Sequence, residues 1–173
     1  MRKIICYPSS SVPDHFDNDV DYFELFSRPD NSHDNVKPLG LSLPNELKRY
    51  GIVPPVVAID FASFAFSIVA VDKLIPRDQS PDGWTRMLDL TVFLSEPEKW
   101  MSVKVKIEKM LKFLTGDFWA LTFKLAKEPA IQFTYESRPR ENDCVCLLSG
   151  GMDSLVGAID LLSEKRNPLF VSQ

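Results

Sequence analysis

Ser149-Gly150-Gly151-Met152-Asp153-Ser154 is the stretch of this chain whose residue types and order could do chemistry. It follows a short apolar run, Cys144 to Leu148. It precedes Met152, Leu155, Val156, Ile159 and Leu162, which recur at helical spacing as one apolar face. The expected local order is therefore strand, turn, helix. At a helix N-terminus the unpaired backbone N–H groups and the positive end of the helix dipole face whatever sits in the turn, and phosphate is the natural occupant. Gly150 and Gly151 carry no Cβ, so the backbone there can take positive φ and approach an anion closely, while the Ser149 and Ser154 hydroxyls can add donors. Asp153 would repel that anion unless Mg²⁺ lay between them, held by hard oxygen ligands and phosphate.

The same residues also describe an ordinary strand-to-helix turn, in which Asp153 and Ser154 simply favour the first helical turn. Spacing alone leaves the two readings even. It does exclude two others: no Gly-Lys-Ser/Thr follows four residues after a glycine, so this is no Walker A loop, and no GxGxxG is present.

Ser149-Gly150-Gly151-Met152-Asp153-Ser154 resembles the SGGxDS signature of the PP-loop ATP pyrophosphatases, placed as in that family between a first strand and a first helix. The surrounding Leu-Leu-Ser-Gly-Gly-Met-Asp-Ser-Leu-Val is most similar to the 7-cyano-7-deazaguanine synthase branch, and Pro168-Leu-Phe-Val171 resembles its second strand. The resemblance is confined to residues 143–173. The long region before it resembles the extended, synthase-like proteins of bacterial anti-phage defence operons.

That resemblance implies an ATP-binding, cytoplasmic, AMP-forming C–N ligase of queuosine or deazapurine chemistry. Its substrate would be a carboxylate, on a deazapurine or borne by a partner, adenylated with release of pyrophosphate. It implies Ser149, Gly150, Gly151 and Ser154 on the pyrophosphate portion of ATP, Asp153 on Mg²⁺, Asp153 and Ser154 as catalytic, and backbone near Val171 beside the adenine. The branch also carries a four-cysteine zinc site downstream of the loop; no cysteine follows Cys146 here, so zinc is not carried over. Two other readings stay open: a different PP-loop enzyme, an amidotransferase or a tRNA-thiolating one, and a non-enzymatic module in which residues 1–136 dock a protein partner.

The composition is that of a water-soluble globular chain, 45% hydrophobic and 25% charged over 173 residues. A net charge of −4 gives no global attraction to nucleic acid or to an anionic membrane, so either would need a local patch. The N-terminus has too brief an apolar run for a signal peptide, and three cysteines argue against a disulfide framework. Cys144 and Cys146 share one face of a strand and read as core. Asp17-Asn-Asp19-Val-Asp21 imitates the start of a calcium loop, but Tyr22 stands where the turn glycine belongs and Arg28 where the bidentate glutamate belongs. His15 and His33 have no partners at ligand spacing and read as surface residues.

Upstream, residues 3–7 and Tyr22 to Phe26 read as strands, and Arg28 to Leu39 as loop. Pro44 to Tyr50 is a short helix stopped by Gly51. Val56 to Ile75 is a long helix, apolar nearly all round except for a stripe of Asp60, Ser63 and Ser67. Asp60 is either a ligand contact or, as the plainer alternative, a buried acceptor of backbone hydrogen bonds. Thr85 to Leu94 alternates as a half-buried strand. Ser95-Glu-Pro-Glu98 reads as a capping box opening one helix that ends at Gly116, with Trp100, Val103, Ile107, Met110, Leu111 and Leu114 buried and Lys104, Lys106, Glu108, Lys109 and Lys112 solvated. Trp119 to Leu125 and Ile131 to Tyr135 read as a hairpin.

Residues 137–142 have linker composition. The expected architecture is an α+β N-terminal domain over 1–136, followed from 143 by the start of an incomplete α/β Rossmann-like PP-loop domain. One strand, one helix and the opening of a second strand cannot cover both faces of a parallel sheet. Either the chain is truncated or a partner supplies the rest; truncation is the expectation, because the cut falls inside an apolar strand whose edges would otherwise be unpaired, and this piece alone is expected to turn over ATP very weakly or not at all.

Overall fold

In the first unit, alternating burial along the strands sets the architecture. The computed structural model describes residues 1–28, 36–139 and 141–172, and the chain divides into two units, Met1–Glu136 and Ser137–Gln173. Strands β1 (Arg2–Pro8), β2 (Val20–Leu25), β3 (Val36–Leu39), β4 (Met87–Leu94) and β5 (Phe118–Leu125) form one sheet in the order β3-β2-β1-β4-β5. Every pairing in it is parallel. Ile4 and Cys6 of β1, Phe23 of β2, Leu88, Leu90 and Val92 of β4 and Leu121 of β5 point to one face and are buried.

Helices α1 (Leu43–Tyr50) and α2 (Val56–Leu74) carry the chain from β3 to β4, and α3 (Pro97–Met101) and α4 (Lys104–Thr115) carry it from β4 to β5. Helix α2 lays Ile59, Phe64 and Val71 on the core face. Its Ser63 and Ser67 are buried too, each donating to the carbonyl four residues back, Ile59 O and Ser63 O, so both hydroxyls are satisfied within the helix. The Cys6 thiol, fully buried, is pushed up to about 12 by that burial, offset only partly by Ser67. On the second face Tyr7, Tyr22 and Val36 cluster with Phe16.

This is α/β, not the α+β arrangement expected from the sequence. The expected hairpin is the source of the difference. Strand β5 runs parallel to β4, and Ala126 N extends that ladder by donating to Leu94 O. Residues 126–136 then form a strap with no strand pairing, bound by Lys127 N to Ser11 Oγ, Ser10 Oγ to Glu128 O and Tyr135 Oη to Ile52 O. Ile131, Phe133 and Tyr135 alternate in burial because an extended segment crosses the sheet end, not because it pairs.

Three smaller expectations also change. Val36–Leu39 of the expected loop is strand β3; residues 29–35 of that loop, His33 among them, lie outside the described residues. The capping box at Ser95 does not form, because Asp60 takes the Ser95 and Glu96 N–H groups and the helix starts only at Pro97. The helix also breaks at Ser102–Val103, and Val103, Met110 and Leu114 are exposed while Trp100, Ile107 and Leu111 pack inward.

The amino ends of β4 and β5 are held by charge. Arg86, just before β4, donates through Nε and Nη2 to Asp117, just before β5, and its backbone N–H adds a bond to the same carboxylate. Arg77 reaches that carboxylate with both terminal nitrogens, at 2.9 and 3.1 Å. Arg86 Nη1 also caps the end of α2 at the Asp72 and Ile75 carbonyls. Burial pushes the Asp117 carboxyl up, but the Arg86 hydrogen bonds and the charges of Arg86 and Arg77 outweigh it and hold it below the usual range.

Asp117 is 0% exposed, and its removal takes from Arg86 and Arg77 the buried carboxylate they share. Asp117→Ala should lower unfolding stability by about 3–5 kcal/mol, read from the urea midpoint. In the unfolded chain this carboxyl titrates near about 3.9. Its stabilisation is therefore complete above that pH and lost as pH falls through the lower folded value; the variant should show a flatter acid limb.

Candidate functional site

The second unit is a strand–turn–helix–strand: β6 (Cys144–Leu148), α5 (Met152–Ser163) and β7 (Pro168–Ser172), with β6 and β7 parallel. Its base is tied by Asp143, which accepts from Arg166 Nε at 2.6 Å and from Asn167 N at 3.0 Å. Arg166 holds the Asp143 carboxyl below its usual range.

The turn between β6 and α5 is Ser149-Gly150-Gly151. Gly150 has φ +81°, a conformation that L side chains rarely adopt, and a Cβ built there would meet nothing within 4 Å. The glycine is therefore required for its backbone angle, while the space beside it is open. Gly151 caps α5 in extended conformation, and Leu155 N donates to its carbonyl. A Cβ on Gly151 would reach only Ser149 Oγ, at 3.6 Å. Packing within the unit does not demand glycine there.

The two serines meet at the helix mouth. Ser149 Oγ donates to Ser154 Oγ at 3.3 Å, and Ser154 Oγ donates to Gly151 O at 2.8 Å. Asp153 is exposed in the first turn of α5. Val171 lies on β7 opposite Leu147, two residues before Ser149. Five of the six residues singled out from the sequence thus lie in one loop and helix start, and Val171 lies on the neighbouring strand. Their donor set fits an anion, with backbone N–H groups and two hydroxyls facing an open turn. Asp153 is the residue that could supply a carboxylate to Mg²⁺ there. Among the described residues no group of three or more His, Cys, Asp or Glu side chains is placed to hold a metal by itself.

The apolar face of α5 is not covered by β6 and β7. Met152 is 73% exposed, and Leu155, Val156, Ile159 and Leu162 are exposed with it. The helix meets the strands through Ala158 instead, over buried Cys146 and half-buried Cys144. On the strands' other face Leu147 is 71% exposed. Two strands are too narrow to cover a helix with so wide an apolar arc.

The remaining sequence candidates have structural partners. Asp60 accepts from Ser95 N at 2.8 Å and Glu96 N at 2.9 Å, the plainer of its two readings. Asp21 of the calcium-like stretch pairs with Arg2 at 2.5 Å. His15 is exposed.

Open parallel sheets bind ligands outside their carboxyl ends, where the strand order reverses; in the first unit that is between β1 and β4. The strap fills this crevice. It leaves one cavity of about 380 Å³ between Ser9, Phe26 and Gln132, and another of about 490 Å³ between Val53, Ile59 and Phe133. Strand β1 exits through Pro8-Ser9-Ser10 rather than a glycine turn, so nothing there cradles phosphate. Neither the strap nor the Arg86–Asp117 pair was singled out in the sequence. A charged residue set directly before each of two apolar strands was the available signal for the pair.

Asp60→Ala should leave two part-buried N–H donors without their partner and cost at most about 1–3 kcal/mol for each bond lost. The check is a lowered urea midpoint.

Compared with protein-family models, curated proteins and solved structures, the chain matches none.

Proposed function

We propose that the second unit is the nucleotide-binding start of a PP-loop ATP pyrophosphatase resembling 7-cyano-7-deazaguanine synthase, and that the intact enzyme activates a carboxylate with ATP. The observation that carries this reading is the open glycine turn at the mouth of α5, with Gly150 at φ +81° and the Ser149 and Ser154 hydroxyls in contact beside it. ATP supplies the good leaving group that a free carboxylate lacks.

The chain's own residues bind and orient. The turn N–H groups and the α5 dipole stabilise negative charge on the pyrophosphate portion, an electrostatic contribution that grows as that group leaves. Ser149 and Ser154 can turn their hydroxyls from each other towards phosphate oxygens. Asp153 holds Mg²⁺ rather than meeting the phosphate directly, and Met152, although exposed, carries no polar group to contribute. Backbone at Val171 stands on the adenine side. The acceptor site is proposed to lie on α/β elements that also cover the apolar faces of α5 and β6–β7, whose exposure supports that part of the reading.

The test is pyrophosphate release from Mg²⁺-ATP by a chain that includes those elements, with and without 7-carboxy-7-deazaguanine. The expected result is substrate-dependent release, reduced at least about a hundredfold in Asp153→Ala and Ser154→Ala, the loss typical of removing one stabilising group. Gly150→Ala should weaken ATP binding through backbone strain alone. Release that depends on tRNA instead would move the protein to the thiolating enzymes, and intact binding in all three variants would sink the site. The 173-residue chain by itself is expected to show little or no turnover.

A further inference from the structure

The outward side of α4 is a surface that the proposed chemistry does not use. Phe113 stands there 88% exposed, Leu114 67% and Met110 49%. Val103, just before the helix, continues the same apolar strip. Lys106 and Lys109 lie within and beside it, and Lys112 flanks it with its ammonium over the Phe118 ring at 4.3 Å. The helix has one acidic residue, Glu108, which turns away: it accepts from Leu121 N of β5 at 2.9 Å and lies 3.7 Å from Lys104. The outward face is thus basic and apolar together, with no carboxylate of its own helix to neutralise it.

The chemistry of that face selects its occupant. A second copy through the same face would set lysine against lysine. A nucleic-acid backbone would satisfy the lysines but give Met110, Phe113 and Leu114 nothing apolar to enter, and one face of the Phe118 ring is already taken by Lys112. A helix face that interleaves exposed apolar side chains with lysines fits a surface that is negatively charged at its rim and apolar just beneath. The negative net charge of the whole chain does not oppose this over short range. The exposed Asp14, Asp17 and Asp19 precede β2, in the half of the sheet away from β5.

We propose that the outward face of α4 docks the first unit onto an anionic lipid surface, Met110, Phe113 and Leu114 entering the headgroup boundary and Lys106, Lys109 and Lys112 meeting lipid phosphates. This contact is peripheral, and among the described residues no helix is long and apolar enough to cross a membrane. It is independent of the nucleotide reading, since it uses none of the residues of the glycine turn.

The experiment is co-sedimentation of the whole chain with phosphatidylcholine vesicles prepared with and without phosphatidylglycerol, at low and at physiological salt. Binding is expected only to the anionic vesicles and should weaken with salt. Lys109→Glu with Lys112→Glu should reduce it about tenfold or more. Phe113→Ala should reduce it several-fold while leaving the circular dichroism and urea midpoint unchanged, because that ring is almost wholly in solvent. Leu147→Asp, in the exposed apolar face of the second unit, should leave the charge-selective binding intact. Equal binding to neutral vesicles, or indifference to the lysine and phenylalanine substitutions, would overturn the proposal. Lysine-dependent binding to polyuridylate without vesicle binding would overturn it too, and assign the face to nucleic acid.

Discussion

The first unit depends on one buried carboxylate. Asp117 accepts from Arg86 and Arg77 at the point where β4 and β5 begin, and Arg86 continues to the last carbonyls of α2. Edge strand, neighbouring strand and crossover helix are therefore fixed to one another at their amino ends. Such a site is worth having only when complete: the charges gain little over apolar packing while all are paired, and cost much when one is missing. The consequence is specificity of register. β5 cannot slide along β4 without pulling Asp117 from a fork that four guanidinium bonds define.

The carboxyl ends are fixed by a different device. Asp60 on α2 caps the turn after β4, and the strap from Ala126 onward ties back to Leu94, Ser10 and Ser11. Ile131 of the strap is buried with the core and lines both cavities left at the end where a parallel sheet would ordinarily receive a ligand. The first unit thus has the layout of a ligand-binding sheet with its binding crevice filled by its own chain. The basic and apolar side of α4 is part of the surface it presents outward.

The second unit is organised in the opposite way. Its turn is open, its hydroxyls meet each other and a backbone carbonyl, and its apolar side chains lie on both outer surfaces. The Asp143, Arg166 and Asn167 contacts close the base of the β6–α5–β7 motif, leaving the carboxyl ends of the strands and the helix N-terminus at the other end. Parallel pairing delivers this polarity without further instruction, because a strand that leads directly into a helix puts the strand's carboxyl end and the helix's positive end at one place.

The sequence by itself determined the local elements and the candidate site. Alternation at Leu88, Leu90, Val92 and Leu94, the helix stop at Gly51, and the Ser-Gly-Gly turn between Leu148 and Met152 all rest on neighbours within a few residues. Whether strands pair parallel or antiparallel, and which faces are covered, was decided only by tertiary structure. The period-two pattern at Ile131, Phe133 and Tyr135 is the same for a paired strand and for a strap crossing a sheet end, so the hairpin could not be told from the strap. Likewise, the apolar arcs of α4 and α5 state that something must cover them, but only the placement of the strands beneath each helix determines that Met110, Leu114, Leu155 and Ile159 remain exposed. A residue's own type fixes what it can contact; the position of elements distant in sequence fixes what it does contact.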